Sequence, residues 1–215
     1  MNIFEVKLNP TSQHWLADVN MTRTSRRRWL RKSGVLLLQV GLVAPTIFST
    51  QKSSAQQTTK TKCGCSTLPQ VAGPFFTPRS PERSSLIEPS MKASRMRLIG
   101  QVVDAHCQPV SGALLDFWQC DDRGEYDNKG FRLRGHQFAD IKGQFVLDTL
   151  VPGAYPGRTP HLHVRVQRRG GQILTTQLYL PGHPGNAGDF LFDTRLQMLA
   201  RGSDFYFQFV LADPR

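Results

Sequence analysis

The chain has 215 residues, 39% of them hydrophobic, which is enough for a packed domain and excludes a collagen-like or wholly disordered protein. Lys and Arg number 27 against 16 Asp and Glu, a net charge of +11 that alone would point to a polyanion partner. The excess is uneven. Residues 1–55 carry 8 basic and 2 acidic side chains, so over half of it belongs to a leader, and the rest of the chain has no basic, aromatic-laced motif for nucleic acid.

The leader has the parts of an export signal. Ser25-Arg26-Arg27-Arg28-Trp29-Leu30-Arg31 precedes an apolar run over 35–43 and 44–48, and Ser53-Ser54-Ala55 offers small residues for cleavage. The run is shorter and more interrupted than the roughly 20 apolar residues of a stable span. The paired arginines resemble a twin-arginine signal, a route for folded proteins. Residues 1–55 are therefore expected to direct the chain to the periplasm or outside the cell, with membrane contact only through this signal. Met21, just ahead of the arginines, is a second candidate start. An uncleaved anchor or a basic amphipathic helix is the alternative.

Residues 56–72 are expected to be a flexible lead-in, since 56–67 hold almost nothing apolar. Pro69, Pro74, Pro78, Pro81 and Pro89 exclude a long helix or a central strand, so this stretch must lie extended over something. From residue 97 the pattern is β-branched and alternating. Strands are predicted over 98–104, 113–118, 131–134, 144–150, 161–167, 172–180 and 206–211, separated by Gly and Pro, with one short helix near 193–200. Short strands at this spacing predict an all-β, antiparallel β-sandwich over 73–215, with long Pro/Gly-rich loops.

Four cysteines, Cys63, Cys65, Cys107 and Cys120, follow the leader. In an exported chain they predict one or two disulfides tying the Cys63/Cys65 segment to the Cys107/Cys120 region; free buried thiols are the alternative. Cys63-Gly64-Cys65 lacks the spacing of a CxxC redox pair or a zinc knuckle.

The sharpest local feature is the run from Pro152 to Val164. On a strand, His161 and His163 share a face, making a two-imidazole metal site that suits several metals equally; a surface or packing pair is the bland alternative. Tyr155 sits in a Pro/Gly loop beside them, and Tyr126 sits in a similar loop after the second strand. A phenol, with its ordinary pKa of about 10, ionises at neutral pH only beside a strongly Lewis-acidic cation such as ferric ion. Taken singly, either tyrosine reads as a core or rim residue.

These residues resemble the intradiol ring-cleavage dioxygenases, the family of protocatechuate 3,4-dioxygenases and catechol 1,2-dioxygenases. The similarity runs from Gly73-Pro74-Phe75-Phe76 to Asn186. It takes in Gly100 to Asp104, Cys107 to Ala113, Asp116 to Asp121, Gly124 to Asp127, Arg134 to Gln137, Tyr155 to His163 and Thr175 to Tyr179. The resemblance implies a β-sandwich holding one mononuclear non-haem Fe(III) per chain on Tyr126, Tyr155, His161 and His163. It implies a catechol-type diol and O2 as substrates and a cis,cis-muconate-type product. In it Tyr155 doubles as a base, Arg158 stabilises developing charge on the ring, and Gln177 hydrogen-bonds near the metal.

The sequence also departs from the family. His161 follows Tyr155 by six positions, a shortened loop that predicts a more open site, and Phe75 and Phe76 stand where tyrosines are common. Residues 56–97 are too few for the helical dimerisation domain of catechol 1,2-dioxygenases, which leaves a homo-oligomer of another kind open. Two rival readings remain: a non-catalytic β-sandwich binding module with His161 and His163 facing solvent, and a zinc hydrolase adding Asp140 or Glu125 to the histidines.

Overall fold

The computed structural model describes residues 63–213. The expected export signal and the first part of the lead-in lie outside the described residues. Eight strands form the domain: β1 Arg95–Asp104, β2 Leu114–Trp118, β3 Arg134–Phe138, β4 Gln144–Leu150, β5 His161–Gln167, β6 Ile173–Tyr179, β7 Leu199–Arg201 and β8 Asp204–Leu211. They make two four-stranded sheets, ordered β4-β1-β8-β7 and β3-β2-β5-β6. Every pairing is antiparallel except β1 with β8, which is parallel.

Alternation puts one face of each sheet into a common core. Leu115 and Phe117 of β2, Leu162 and Val164 of β5, Leu98 of β1, Leu147 of β4 and Phe209 of β8 are all fully buried there. Gly100 is required at its place on β1, because a Cβ would lie 2.3 Å from the Phe145 ring and 2.7 Å from the Phe207 carbonyl oxygen.

The other face of the β3-β2-β5-β6 sheet is where the site lies. The register sets Arg134, Trp118, His163 and Gln177 in one row across its four strands, with His161 opposite Tyr179 in the next row. The proline-rich stretch covers this face. Gln70 N–H bonds to the Thr175 carbonyl at the β6 edge, Ser80 donates to Asp116 at 2.7 Å, and Arg83 donates to the Arg134 carbonyl.

The predicted tie of the Cys63/Cys65 segment to the Cys107/Cys120 region is present as one bridge, Cys63–Cys107, while three other expectations, for the lead-in, one strand and the helix, are corrected. The described part of the lead-in is fastened rather than loose: Cys63 N–H bonds to the Ala105 carbonyl, Thr67 N–H to that of Val210, and a Cys63–Cys107 disulfide closes a separation of 44 residues. Cys65 and Cys120 are free thiols, one exposed and one buried, so Cys120 takes no part in the bridge. The strand predicted over 131–134 is a turn, with β3 beginning at its end. The Asp127 carboxylate takes the Gly130 and Arg132 N–H groups, and Leu133 has φ +56, which breaks an extended path. The helix expected near 193–200 reduces to a 3-10 turn at Thr194–Leu196, because pairing of β7 with β8 claims the following residues. A second 3-10 turn spans Pro184–Gly188.

Candidate metal centre

Tyr155-Pro156-Gly157-Arg158 is a tight turn. The Arg158 N–H bonds back to the Tyr155 carbonyl at 2.9 Å, Pro presets the second residue, and Gly157 has the φ of +77 that a type II turn demands at the third. The turn fixes Tyr155 and Arg158 side by side at the entrance to β5, both half-buried.

Tyr126 comes from the loop after β2, and the two tyrosine loops pack on each other through glycines. Gly124 has φ +84, and a Cβ there would lie 2.7 Å from the Ala154 carbonyl oxygen; at Gly153 a Cβ would lie 2.5 Å from that of Asp122. The Gly153 N–H also bonds to the Asp121 carbonyl at 2.8 Å. The Tyr126 ring stacks on Phe75 at 4.3 Å and meets the Tyr155 ring edge-on at 6.0 Å. Arg134, 1% exposed, braces this corner by donating to the carbonyls of Asp127 and Phe75. The Tyr126 hydroxyl oxygen is buried without a hydrogen-bond partner.

His161 and His163 are 1% and 2% exposed. Their Nε2 atoms lie 3.2 Å apart, and the Tyr155 hydroxyl is 3.3 Å from His161 Nε2. Nδ1 of His161 faces the Thr159 carbonyl at 2.7 Å and must carry the proton, since a carbonyl only accepts, so its Nε2 holds a free lone pair. Burial, with the nearby Arg158 charge, pulls His161 down to about 4. Burial, then His161 and Arg158, holds His163 well below its ordinary value. Both imidazoles are therefore neutral at physiological pH, the form that binds metal. Burial pushes the Tyr126 and Tyr155 phenols up, so without a cation beside them both keep their protons.

Arg158 is held from behind. Its Nε lies 3.1 and 3.0 Å from the two oxygens of Asp189, whose carboxylate is fully buried, and its Nη2 donates to the Gln177 amide oxygen. Gln177 Nε2 donates to the Val71 carbonyl at 3.0 Å, linking the arginine to the covering segment. Burial opposes the Asp189 charge, but the N–H groups of Leu191 and Thr159 and the guanidinium outweigh it, leaving its pKa below the ordinary range. Tyr179, missed in the sequence along with Asp189, has its hydroxyl 2.9 Å from the Gln70 amide oxygen and 3.0 Å from the Leu191 carbonyl oxygen, either of which can accept its one proton. Position 189 has no local pattern to mark it, because its role arises from a loop returning to the Arg158 turn.

The structure thus gathers Tyr126, Tyr155, His161 and His163 in one place, with Arg158 and Gln177 beside them. A dioxygenase family model matches residues 71–205 of the chain. The chain belongs to the intradiol dioxygenase family. Its sequence is 28% identical to catechol 1,2-dioxygenase of Pseudomonas sp. (strain EST1001), over 61% of this chain and 53% of that protein. It is 27% identical to hydroxyquinol 1,2-dioxygenase of Rhizobium sp. (strain MTP-10005), over 90% of this chain and 72% of that one. The chain therefore spans about half the length of the Pseudomonas relative. Among solved structures, it resembles the dioxygenase domain of a dioxygenase carbohydrate-binding protein fusion from the cellulolytic bacterium Streptomyces sp. SirexAA-E. That likeness has a TM-score of 0.66 and 47% identity, over 69% of this chain and 99% of that one.

The donor set of this intradiol dioxygenase chain fits a metal ion. Two imidazole nitrogens about 2.1 Å from one ion and at right angles to each other would be about 3 Å apart, close to the 3.2 Å found here. The stranded Tyr126 hydroxyl gains a partner if it turns to the same ion. The rival readings fail on placement. The histidines are buried rather than facing solvent, as the binding module would have them. No three His, Cys, Asp or Glu side chains converge among the described residues. Asp140 is occupied by the Lys142 and Gln144 N–H groups, and exposed Glu125 pairs with Arg123.

Proposed function

We infer that this chain cleaves the ring of a catechol-type diol between its two hydroxyl-bearing carbons with O2, giving a cis,cis-muconate-type product. It would use one ferric ion held by Tyr126, Tyr155, His161 and His163. The observation that carries the reading is the convergence of the two neutral histidine Nε2 atoms and the Tyr155 hydroxyl within 3.3 Å, beside the unpartnered hydroxyl of Tyr126. The named activities of the relatives, on catechol and hydroxyquinol, support the same substrate class.

A ferric ion held by Tyr126, Tyr155, His161 and His163 would supply Lewis acidity, which makes both catechol hydroxyls acidic enough to lose their protons and leaves the ring as the dianion that O2 can attack directly. The protein's part is to move a proton and to place charge. Tyr155, on the turn that leads into β5, would be the phenolate placed to accept a catechol proton at its hydroxyl oxygen. Tyr126, stacked on Phe75 with its hydroxyl buried, would stay in place. The Arg158 guanidinium is fixed by Asp189 and Gln177, so it faces developing negative charge without reorganising. Burial of both histidines keeps water from competing for their nitrogens. We also propose that the chain is exported, as its leader predicts, and meets its substrate outside the cytoplasm.

The visible spectrum tests this reading. Protein purified with iron should show a broad phenolate-to-iron band that moves to longer wavelength on anaerobic addition of catechol. Protein that stays colourless when given ferric iron would overturn the ligand set.

A further inference from the structure

The two histidines are held by different means. His161 has the Thr159 carbonyl against its Nδ1. Nδ1 of His163 is buried with no hydrogen-bond partner among the described residues. A ligand imidazole ordinarily donates its second N–H to an acceptor that fixes the ring's rotation. At His163 an aromatic ring packs on the imidazole face instead. Trp118, directly opposite His163 across the β2–β5 pair, lies parallel to it within 5° at a centroid distance of 4.9 Å. On the covering side, a Cβ at Gly73 would lie only 3.8 Å from His163 Cε1.

Trp118 is an expensive choice for packing alone. It is 1% exposed, and its indole N–H is itself buried without a partner. Phenylalanine would fill the position without stranding a donor. The indole is braced in turn: Phe76 meets it edge-on at 4.9 Å, and the Arg165 guanidinium lies 3.5 Å from the Phe76 ring centroid. Arg165 stands two residues along β5 from His163, so the brace returns to the strand that carries the ligand.

The geometry points to Trp118 as the positioning residue of His163: its stacked face sets the plane of the imidazole, and so the direction of Nε2, as the Thr159 carbonyl does for His161. The inference rests on the metal-centre reading above. It predicts that the aromatic face, rather than the volume or the N–H, is what matters at position 118.

The test is titration of the metal-free full chain with ferric iron, followed by visible absorption, beside thermal melting of the metal-free protein. Trp118→Leu should bind iron roughly 10- to 100-fold more weakly and shift the absorption band, while Trp118→Phe, which keeps a stacking face, should recover most of the affinity. Leu115→Ala, on the same strand but facing the core, controls for lost packing; it should lower the melting temperature and leave iron affinity near that of wild type. If Trp118→Leu fails to fold, Trp118→Met makes the same comparison. Aliphatic variants that bind iron like wild type, or that lose affinity only in step with Leu115→Ala, overturn the inference alone. Wild-type protein that takes up no iron overturns it together with the reading beneath it.

Discussion

Tyr155 and Tyr126 are chemically the same group in unequal positions, and the proposed mechanism gives them different roles on that ground. Both are half-buried, but Tyr155 rides on a tight turn with its hydroxyl facing His161 Nε2, whereas the Tyr126 ring is stacked on Phe75 and its hydroxyl is buried without a partner. Tyr155→Phe should therefore keep much of its iron but lose about 10²- to 10⁴-fold in turnover, the usual range for a removed general base. Iron content and kcat on one preparation check this, and unchanged turnover would remove Tyr155 from the mechanism. Asp189 bears on the proposed chemistry only through Arg158, which it holds. Its oxygens hold Arg158 and also accept from the N–H groups of Thr159 and Leu191. Asp189→Asn puts an amide donor among those donors and leaves the guanidinium uncompensated. It should cost about 100-fold in kcat/KM with the visible spectrum little changed, since none of the four proposed ligands is altered.

Among the local elements, the loops carrying the tyrosines depend on glycine where a side chain would strike backbone. Gly124→Ala forces a left-handed conformation and a contact of 2.7 Å with the Ala154 carbonyl oxygen. It should destabilise the domain by about 1–3 kcal/mol and weaken iron binding by separating the two tyrosine loops, as urea unfolding and iron titration would show. The Thr194–Leu196 turn offers a pH test away from the site. Asp193 accepts from the Arg195 N–H and side chain, which holds its carboxyl down to about 2. Its unfolded value is near 3.9. The folded state thus favours the charged form, so this contribution is complete above about pH 4 and is lost as pH falls toward 2. Asp193→Asn should make stability less steeply pH-dependent between pH 4 and 2, measured by denaturant unfolding across that window.

For the whole molecule, a sandwich of two four-stranded sheets is small, and its site lies on an outer sheet face that would be open to water without the segment from Cys63 to Pro89. The Cys63–Cys107 bridge anchors the start of that cover, closing a separation of 44 residues. Replacing both cysteines by serine should cost about 2–4 kcal/mol in denaturant unfolding and leave the spectrum of the iron-loaded folded protein unchanged. The sequence by itself determined most strands, because alternation and Gly/Pro punctuation are local signals, and the HxH pair, because two residues on a strand share a face. It also marked Tyr126, Tyr155, Arg158 and Gln177 through the family resemblance. It misplaced the strand at 131–134 and the helix near 193–200, where the neighbouring Asp127 carboxylate and an open sheet edge overrode the strand and helix patterns. Only the tertiary structure decided which cysteines pair, that Asp189 holds Arg158, and that Trp118 lies flat on His163. Each of these joins residues far apart in the chain, and sheet register and returning loops set their distance where no short-range pattern records it.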